Sequence, residues 1–214
     1  MKIQPVTLTG RAVRLVPLKL DHVPALASVG LFPELWELQP RAIDTHEAML
    51  RYVAAALEAQ RQGTALPFAM VDQASSAVIG STRYMDIAPQ HRRLEIGATW
   101  VTPAFQRTAA NTEAKLLLLT HAFESLGVQR VVFKTDALNV RSQAALARIG
   151  AVEEARFRRH LIADTGRARD MVYYAILSDE WLAVKARLVG RLLEHERRRS
   201  GGVGARSRGN EGEI

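Results

Sequence analysis

The stretch EIGATWVTPAFQRTAANTEAKLLLLTHAFE, Glu95 to Glu124, changes its hydrophobic period halfway along. Its first seven residues complete a strand-like run, RRLEIGATWV, that begins at Arg92. Further on, Ala114, Leu117, Leu118, Ala122 and Phe123 recur at helical spacing until Gly127 supplies a stop signal. The junction FQRTAANTEAK (Phe105–Lys115) therefore leads from a strand through a loop to a helix N-terminus. Unpaired N–H groups and the helix dipole favour an anion there. The junction contains no glycine, the residue that makes close approach to a phosphate easy. Two readings fit these residues: a phosphate cradle, or a plain helix start capped by Asn111 or Thr112.

On the N-terminal side, RAVRLVP (Arg11–Pro17) alternates as a strand, Asp21 is an N-cap for a short helix from about His22 to Val29, and DTHEAMLRYVAAALEAQRQ (Asp44–Gln62) is a longer helix closed by Gly63. LPFAMVD, SAVIGSTRYMDI and RRLEIGATWV then form an antiparallel meander broken by QASS and APQHR. On the C-terminal side, RVVFKTD (Arg130–Asp136) has the β-branched character of a central strand, and NVRSQAALARIG is a compact helix ended by Gly150. Two further strands flank the turn Asp164-Thr165-Gly166, and SDEWLAVKARLVGRLLEHE (Ser178–Glu196) is an amphipathic helix. The sum is an α+β, three-layer arrangement: a mixed, mainly antiparallel sheet of about seven strands flanked by helices, plus a C-terminal helix.

Length and composition narrow the chemistry. With 214 residues, 48% of them hydrophobic and 24% charged, the chain buries one core. The 0 cysteines exclude disulfides, thiolate metal sites and a cysteine nucleophile, and the 6 histidines lack ligand spacing, so no metal is expected. Neither a long apolar run nor a signal-peptide pattern occurs, which points to a soluble, cytoplasmic protein with no membrane partner. The net charge of +7 admits nucleic acid as a partner, but the basic residues interleave with acids, and part of the excess lies in the tail RRRSGGVGARSRGNEGEI, residues 197–214, read as disordered. A polyanionic small cofactor suits this balance equally well.

The order of elements, with EIGATWVTPAFQRTAANTEAKLLLLTHAFE, RVVFKTDALNVRSQAALARIGAVEEARFRRH and DTGRARDMVYYAILSDEW in succession, resembles the GNAT superfamily of N-acetyltransferases, in particular its RimJ/RimL-like branch. The resemblance implies a GNAT domain over 1–177, with the amphipathic helix of 178–196 packed on it or pairing two subunits. It implies acetyl-CoA as co-substrate and direct transfer of acetyl to a primary amine in a ternary complex. A GNAT-like module that binds acyl-CoA without turnover is the second reading, and a basic nucleic-acid-binding protein the third.

In that family the loop pattern is Gln or Arg, two residues, Gly, one residue, then Gly or Ala. Gln106 and Arg107 begin it here, Ala109 stands at the first glycine and Asn111 at the second small position. The family implies that the N–H groups of Arg107, Thr108, Ala109, Ala110, Asn111 and Thr112 hold the coenzyme A pyrophosphate, with Trp100 and Val101 on the preceding strand also at the cofactor. A positive φ at Ala109 would strain the loop.

The family likeness places Glu95 at a general-base position; the plain alternative is an ion-paired glutamate with Arg92, Arg93 or Lys134 as partner. Asn139 is either a pantetheine contact or an N-cap. Ser142 is the first candidate for the acid that protonates the leaving thiolate, followed by Tyr173 or Tyr174. Arg141 and Arg107 suit phosphate oxygens. Trp36 falls where the family places part of its acceptor pocket, and is otherwise a core aromatic.

Overall fold

The computed structural model describes residues 1 and 3–203. Eight strands, β1 (Leu8–Thr9), β2 (Val13–Pro17), β3 (Leu66–Asp72), β4 (Val78–Ala88), β5 (Arg93–Val101), β6 (Arg130–Asp136), β7 (Val152–Ile162) and β8 (Ala168–Leu177), form one sheet in the order β1-β2-β3-β4-β5-β6-β8-β7. Every neighbouring pair is antiparallel except β5 and β6. The strand beyond the seven expected is β1. It is two residues long and has no alternation to detect; its place comes from the turn at Gly10, which folds Leu8 back beside Leu15.

The helices are α1 (Val23–Gly30), α2 (His46–Arg61), α3 (Ala109–Thr120), α4 (Val140–Ile149) and α5 (Trp181–Val203). Thr45 caps α2 by accepting the Ala48 N–H at 3.1 Å, and Asn139 caps α4 by accepting that of Ser142 at 2.9 Å. Two expected caps are corrected. Asp21 lies inside a 3-10 turn, Leu20–His22, so His22 occupies the cap position of α1. Thr108, not Asn111 or Thr112, caps α3, so the helix begins two residues earlier than its apolar period shows. Helix α5 runs past the expected end at 196 into the segment read as a tail, and residues 204–214 of that segment lie outside the described residues. It packs on the domain: Trp181 stacks on Phe123 and donates its indole N–H to Glu124 at 2.7 Å. Among the described residues no helix is long and apolar enough to cross a membrane.

Helices α3, α4 and α5 cover one face of the sheet, and α1 and α2 the other, each over its own apolar cluster. Strand β5 contributes to both. Leu94, Ile96 and Val101 face α3, whereas Trp100 joins the α1–α2 cluster. Strict alternation would put Ile96 and Trp100 on one face. A β-bulge at Ala98 (φ 47°), where the pairing passes from Arg83–Gly97 to Ser81–Trp100, inserts the extra residue that reverses the parity. Beyond the bulge Thr99 points towards α3 and accepts a 2.7 Å hydrogen bond from Lys115, a buried amine lying 6.0 Å from the centre of the Phe133 ring on β6.

At the sheet's other end, β7 is an exposed edge strand bearing Arg156, Arg158 and Arg159, with Arg159 in the left-handed region (φ 48°) where its register shifts against β8.

The N-terminal hairpin is held to α3 by one side chain. The buried Glu113 carboxylate accepts the backbone N–H groups of Arg11, Ala12 and Val13 at 2.8, 2.7 and 2.8 Å. A side chain on Gly10 would overlap that carboxylate. Charge-assisted hydrogen bonds of this kind are strong, and stranded buried donors cost about 1–3 kcal/mol each. Glu113→Ala is therefore expected to lower unfolding stability in urea by roughly 2–4 kcal/mol, since part of the hairpin gains water when it detaches. Lys115 gives a second measurable signature. Burial lowers its pKa to about 7, against about 10.4 for an unfolded lysine. Between those values the unfolded chain holds a proton that the folded chain does not, so this group's contribution is present at high pH and lost as pH falls towards 7. Lys115→Met should flatten the rise in urea midpoint between pH 7 and 9 and stabilise the neutral-pH fold.

Candidate active site

Strand β5 ends at Val101, and the chain reaches α3 through a 3-10 turn, Pro103–Phe105, and the residues Gln106–Thr108. Thr108 orders this junction by donating its hydroxyl to the Phe105 carbonyl at 2.8 Å while accepting the Ala110 N–H at 3.3 Å. Among the described residues nothing accepts the N–H groups of Arg107, Thr108, Ala109 and Asn111. The left-handed residue is Arg107 (φ 61°), not Ala109. Ala109 is the first residue of α3 in ordinary helical conformation, so the strain expected at that position is absent there and falls on the preceding arginine.

Gln106 ties this loop to its surroundings. Its amide donates to the Val101 carbonyl at 3.1 Å and its oxygen accepts from Arg141 at 3.0 Å, which brings the start of α4 beside the start of α3. Asn139, Arg141 and Ser142 thus stand next to the loop on the α3–α4 side of the sheet, together with the exposed guanidinium of Arg107. Val101 and Trp100 turn their side chains into the two apolar clusters, leaving only their backbone to reach a ligand.

Between the loop and the opposite face lies a gap in the sheet. The parallel pairing of β5 with β6 covers only Arg93–Glu95 against Arg130–Val132. Past Glu95 the two strands separate, and the edge of β5 facing β6 carries no ladder. A pocket of about 360 Å³ lies on the sheet face over the paired stretch that ends at this fork, lined by Asp86, Arg93, Glu95, Arg130, Val132, Lys134 and Tyr173.

Glu95 is 6% exposed and forms a 2.7 Å ion pair with Lys134, which also reaches Asp86 at 2.5 Å. Of the three cationic partners open from sequence, the fold selects Lys134, because the β5–β6 register sets Val132 beside Glu95 and Lys134 follows on the same face. Burial raises the Glu95 pKa, an effect that the bond to Lys134 opposes only in part. The bond to Lys134 lowers the Asp86 pKa. Lys134 is itself partly buried, but the two carboxylates outweigh that and hold it protonated. The ammonium lies 5.3 Å from the centre of the Tyr173 ring, and the Tyr173 hydroxyl is 2.8 Å from His160 Nε2.

The register of β5, β6 and β8 therefore brings Glu95 and Tyr173 into one pocket, while Ser142 stands with the loop and does not line it. Tyr174 faces the other way, into the α3-side core. Trp36 is corrected from pocket wall to core: it is 6% exposed, packs on Trp100 and Tyr52, and donates its indole N–H to the Gly30 carbonyl at 2.7 Å. Asp86, which lines the pocket, and His160, which meets the Tyr173 hydroxyl, were missed by the sequence reading, since no local motif marks either.

Residues 12–152 match the family described as "Acetyltransferase (GNAT) domain". A curated relative, "Putative ribosomal N-acetyltransferase YdaF" of Bacillus subtilis (strain 168), is 37% identical over 91 residues, 42% of this chain; the chain spans about half of that protein, 49%. The crystal structure of a "putative acetyltransferase from T. thermophilus" superposes with a TM-score of 0.81 at 39% identity, covering 90% of this chain and 100% of the other. Mycobacterium smegmatis RimJ, solved in complex with CoA-disulfide, shares the fold with a TM-score of 0.74 at 24% identity, over 87% of this chain and 95% of that one. On the match across well over half of its residues, this chain belongs to the GNAT family of acetyltransferases.

Proposed function

We propose that this protein transfers an acetyl group from acetyl-CoA to a primary amine, a protein N-terminus or a small-molecule amine, directly within a ternary complex in the cytoplasm. The observation that carries the reading is the continuity of β5. Its C-terminal end leads to a helix N-terminus with unpaired N–H groups, and its middle places a buried carboxylate where the sheet opens.

The residues present suit acetyl-CoA. The unpaired N–H groups of Arg107, Thr108, Ala109 and Asn111, with the Arg107 and Arg141 side chains close by, match a pyrophosphate. The unpaired edge of β5 past Glu95 offers backbone partners to the amides of a pantetheine arm. Bound there, acetyl-CoA supplies an activated thioester carbonyl and a thiolate leaving group. Glu95 accepts a proton from the incoming ammonium, which makes the amine nucleophilic. Burial, by raising its pKa, makes Glu95 a better proton acceptor than an exposed glutamate, and the Lys134 ammonium favours its ionised form. Tyr173 is the acid on the pocket side, held by His160; Ser142 is the alternative on the loop side. A CoA-binding module without turnover is the second reading, favoured by the ion pair that engages Glu95 with Lys134.

Calorimetry with acetyl-CoA should show saturable binding; no heat up to millimolar concentration would remove both readings. With binding in hand, thiol release over a panel of amines and N-terminal peptides separates turnover from its absence. Glu95→Gln should lower kcat by about 10²-fold or more at unchanged acetyl-CoA affinity. Tyr173→Phe and Ser142→Ala rank the two acids by which loses rate. Because the ionised form of Glu95 is the active one, kcat/KM should fall as pH drops through its raised pKa, above the usual value of about 4.3. Lys134→Met, which removes the cation favouring ionisation, should move that limb to higher pH. An unmoved limb would take Glu95 out of the base role. At the loop, Ala109→Gly should leave acetyl-CoA affinity unimproved, whereas Arg107→Gly should raise the melting temperature by relieving the left-handed conformation.

A further inference from the structure

Trp36 and Ile43 are both anchored in the α1–α2 cluster beside Trp100 of β5, and the chain between them makes an excursion across the sheet. Its tip, Leu38–Arg41, is fastened to the far side of the fork. Arg169 on β8 donates Nη2 to the Leu38 carbonyl at 3.0 Å, and the Asp164 N–H in the β7–β8 turn donates to the Pro40 carbonyl at 3.0 Å. The Arg41 guanidinium lies 3.4 Å from the Asp164 carboxylate. Arg169 is 3% exposed and gives its Nε–H to Asp136 at 2.8 Å, so one guanidinium joins Leu38 to the last residue of β6. Because β6 stands between β5 and β8, a loop rooted at β5 and pinned to β8 passes over the end of β6, where the strands have separated.

Alternation puts this pin on the same face as the pocket. Val132, Lys134 and Asp136 share one face of β6, and Tyr173 and Arg169 share that face of β8, with Tyr173 beside Lys134. Asp136 stands two residues beyond Lys134, about 6.6 Å along the strand. An extended chain needs about 4.8 Å, the spacing of neighbouring strands, whereas a helix with its side chains needs about 10 Å or more. The pinned tip therefore leaves clearance for the first and not for the second. The exposed Arg41–Asp164 pair holds little in water, but loss of one partner from the buried Arg169–Asp136 pair is costly, so Arg169 is the group that keeps the tip in place. We propose that the tip Leu38–Arg41, held by Arg169, restricts acceptors to an amine on an extended chain end or on a slender small molecule, with Arg169 as the positioning residue that sets this limit. This rests on the reading of Glu95 as the group that receives the acceptor amine.

Two peptides that present the same amine test the limit: amidated Ala-Ala-Ala-Ala, and a hydrocarbon-stapled helix that opens with the same four residues. Binding of each is measured by calorimetry on the full chain, with and without saturating CoA. The extended peptide should bind at least about tenfold more tightly, and in Arg169→Met that preference should fall to about one at unchanged CoA affinity. Arg167, which donates to Asp136 at 2.7 Å, still pairs that carboxylate in the variant. The fastening itself is read as the rate of trypsin cleavage after Arg41, inside the tip, which should rise about tenfold or more in Arg169→Met as the open form becomes more populated. Equal affinities, no binding of either peptide, a preference that survives in the variant, or a bond after Arg41 that is cut equally fast in both proteins overturns the proposal. If the methionine variant fails to fold, Arg169→Lys takes its place: a lysine offers Asp136 a charge but lacks the fork that also reaches Leu38, so the preference should drop several-fold, and an undiminished preference is again fatal. Because the peptides are also measured without CoA, failure of cofactor binding counts against the acetyltransferase reading alone and leaves the peptide result intact.

Discussion

Strand β5 must serve two apolar cores that lie on opposite faces of one sheet, and the bulge at Ala98 is how it does so. Without the extra residue, Trp100 would leave the α1–α2 cluster, or Val101 the α3 cluster. The same irregularity sits where β5 parts from β6. A regular ladder on both sides would close the sheet at this point and leave no way from one face to the other. The packing demand and the opening of the fork are therefore met by one local departure from regular pairing.

Around that departure the charges are arranged unevenly. On the α3 side a buried lysine leans on Thr99, tuned by burial towards the neutral state. On the α1–α2 side a lysine is fixed as a cation between two carboxylates. The two lysines shift in opposite directions because their neighbours differ, not their residue type.

Much of the architecture was legible because it rests on period and punctuation. RVVFKTD reads as a central strand and is one; Gly63, Gly127 and Gly150 end helical segments with positive φ. What escaped depends on partners distant in sequence. The bulge is invisible in EIGATWV, since an extra residue exists only relative to β4. Analogy with a glycine pattern points to Ala109 for the left-handed residue, but the capping threonine sets where the helix starts, and the strain falls one residue before that cap. Trp36 shows that an aromatic side chain in a core and one in a binding wall look alike until its neighbours are known. For Glu95 the sequence narrowed the partner to three cations, and strand register chose among them.

The arginine-bearing edge of the sheet has a consequence for how this molecule behaves in company. Strand β7 offers a long row of outward backbone groups, the kind of margin on which chains add to one another. Its kink at Arg159 breaks that row, and Arg156, Arg158 and Arg159 would meet their own counterparts if two copies approached margin to margin. Facing like charges repel across paired strands. The molecule thus carries its own guard against polymerising through the sheet, and leaves α5 and the remaining faces for whatever association it makes.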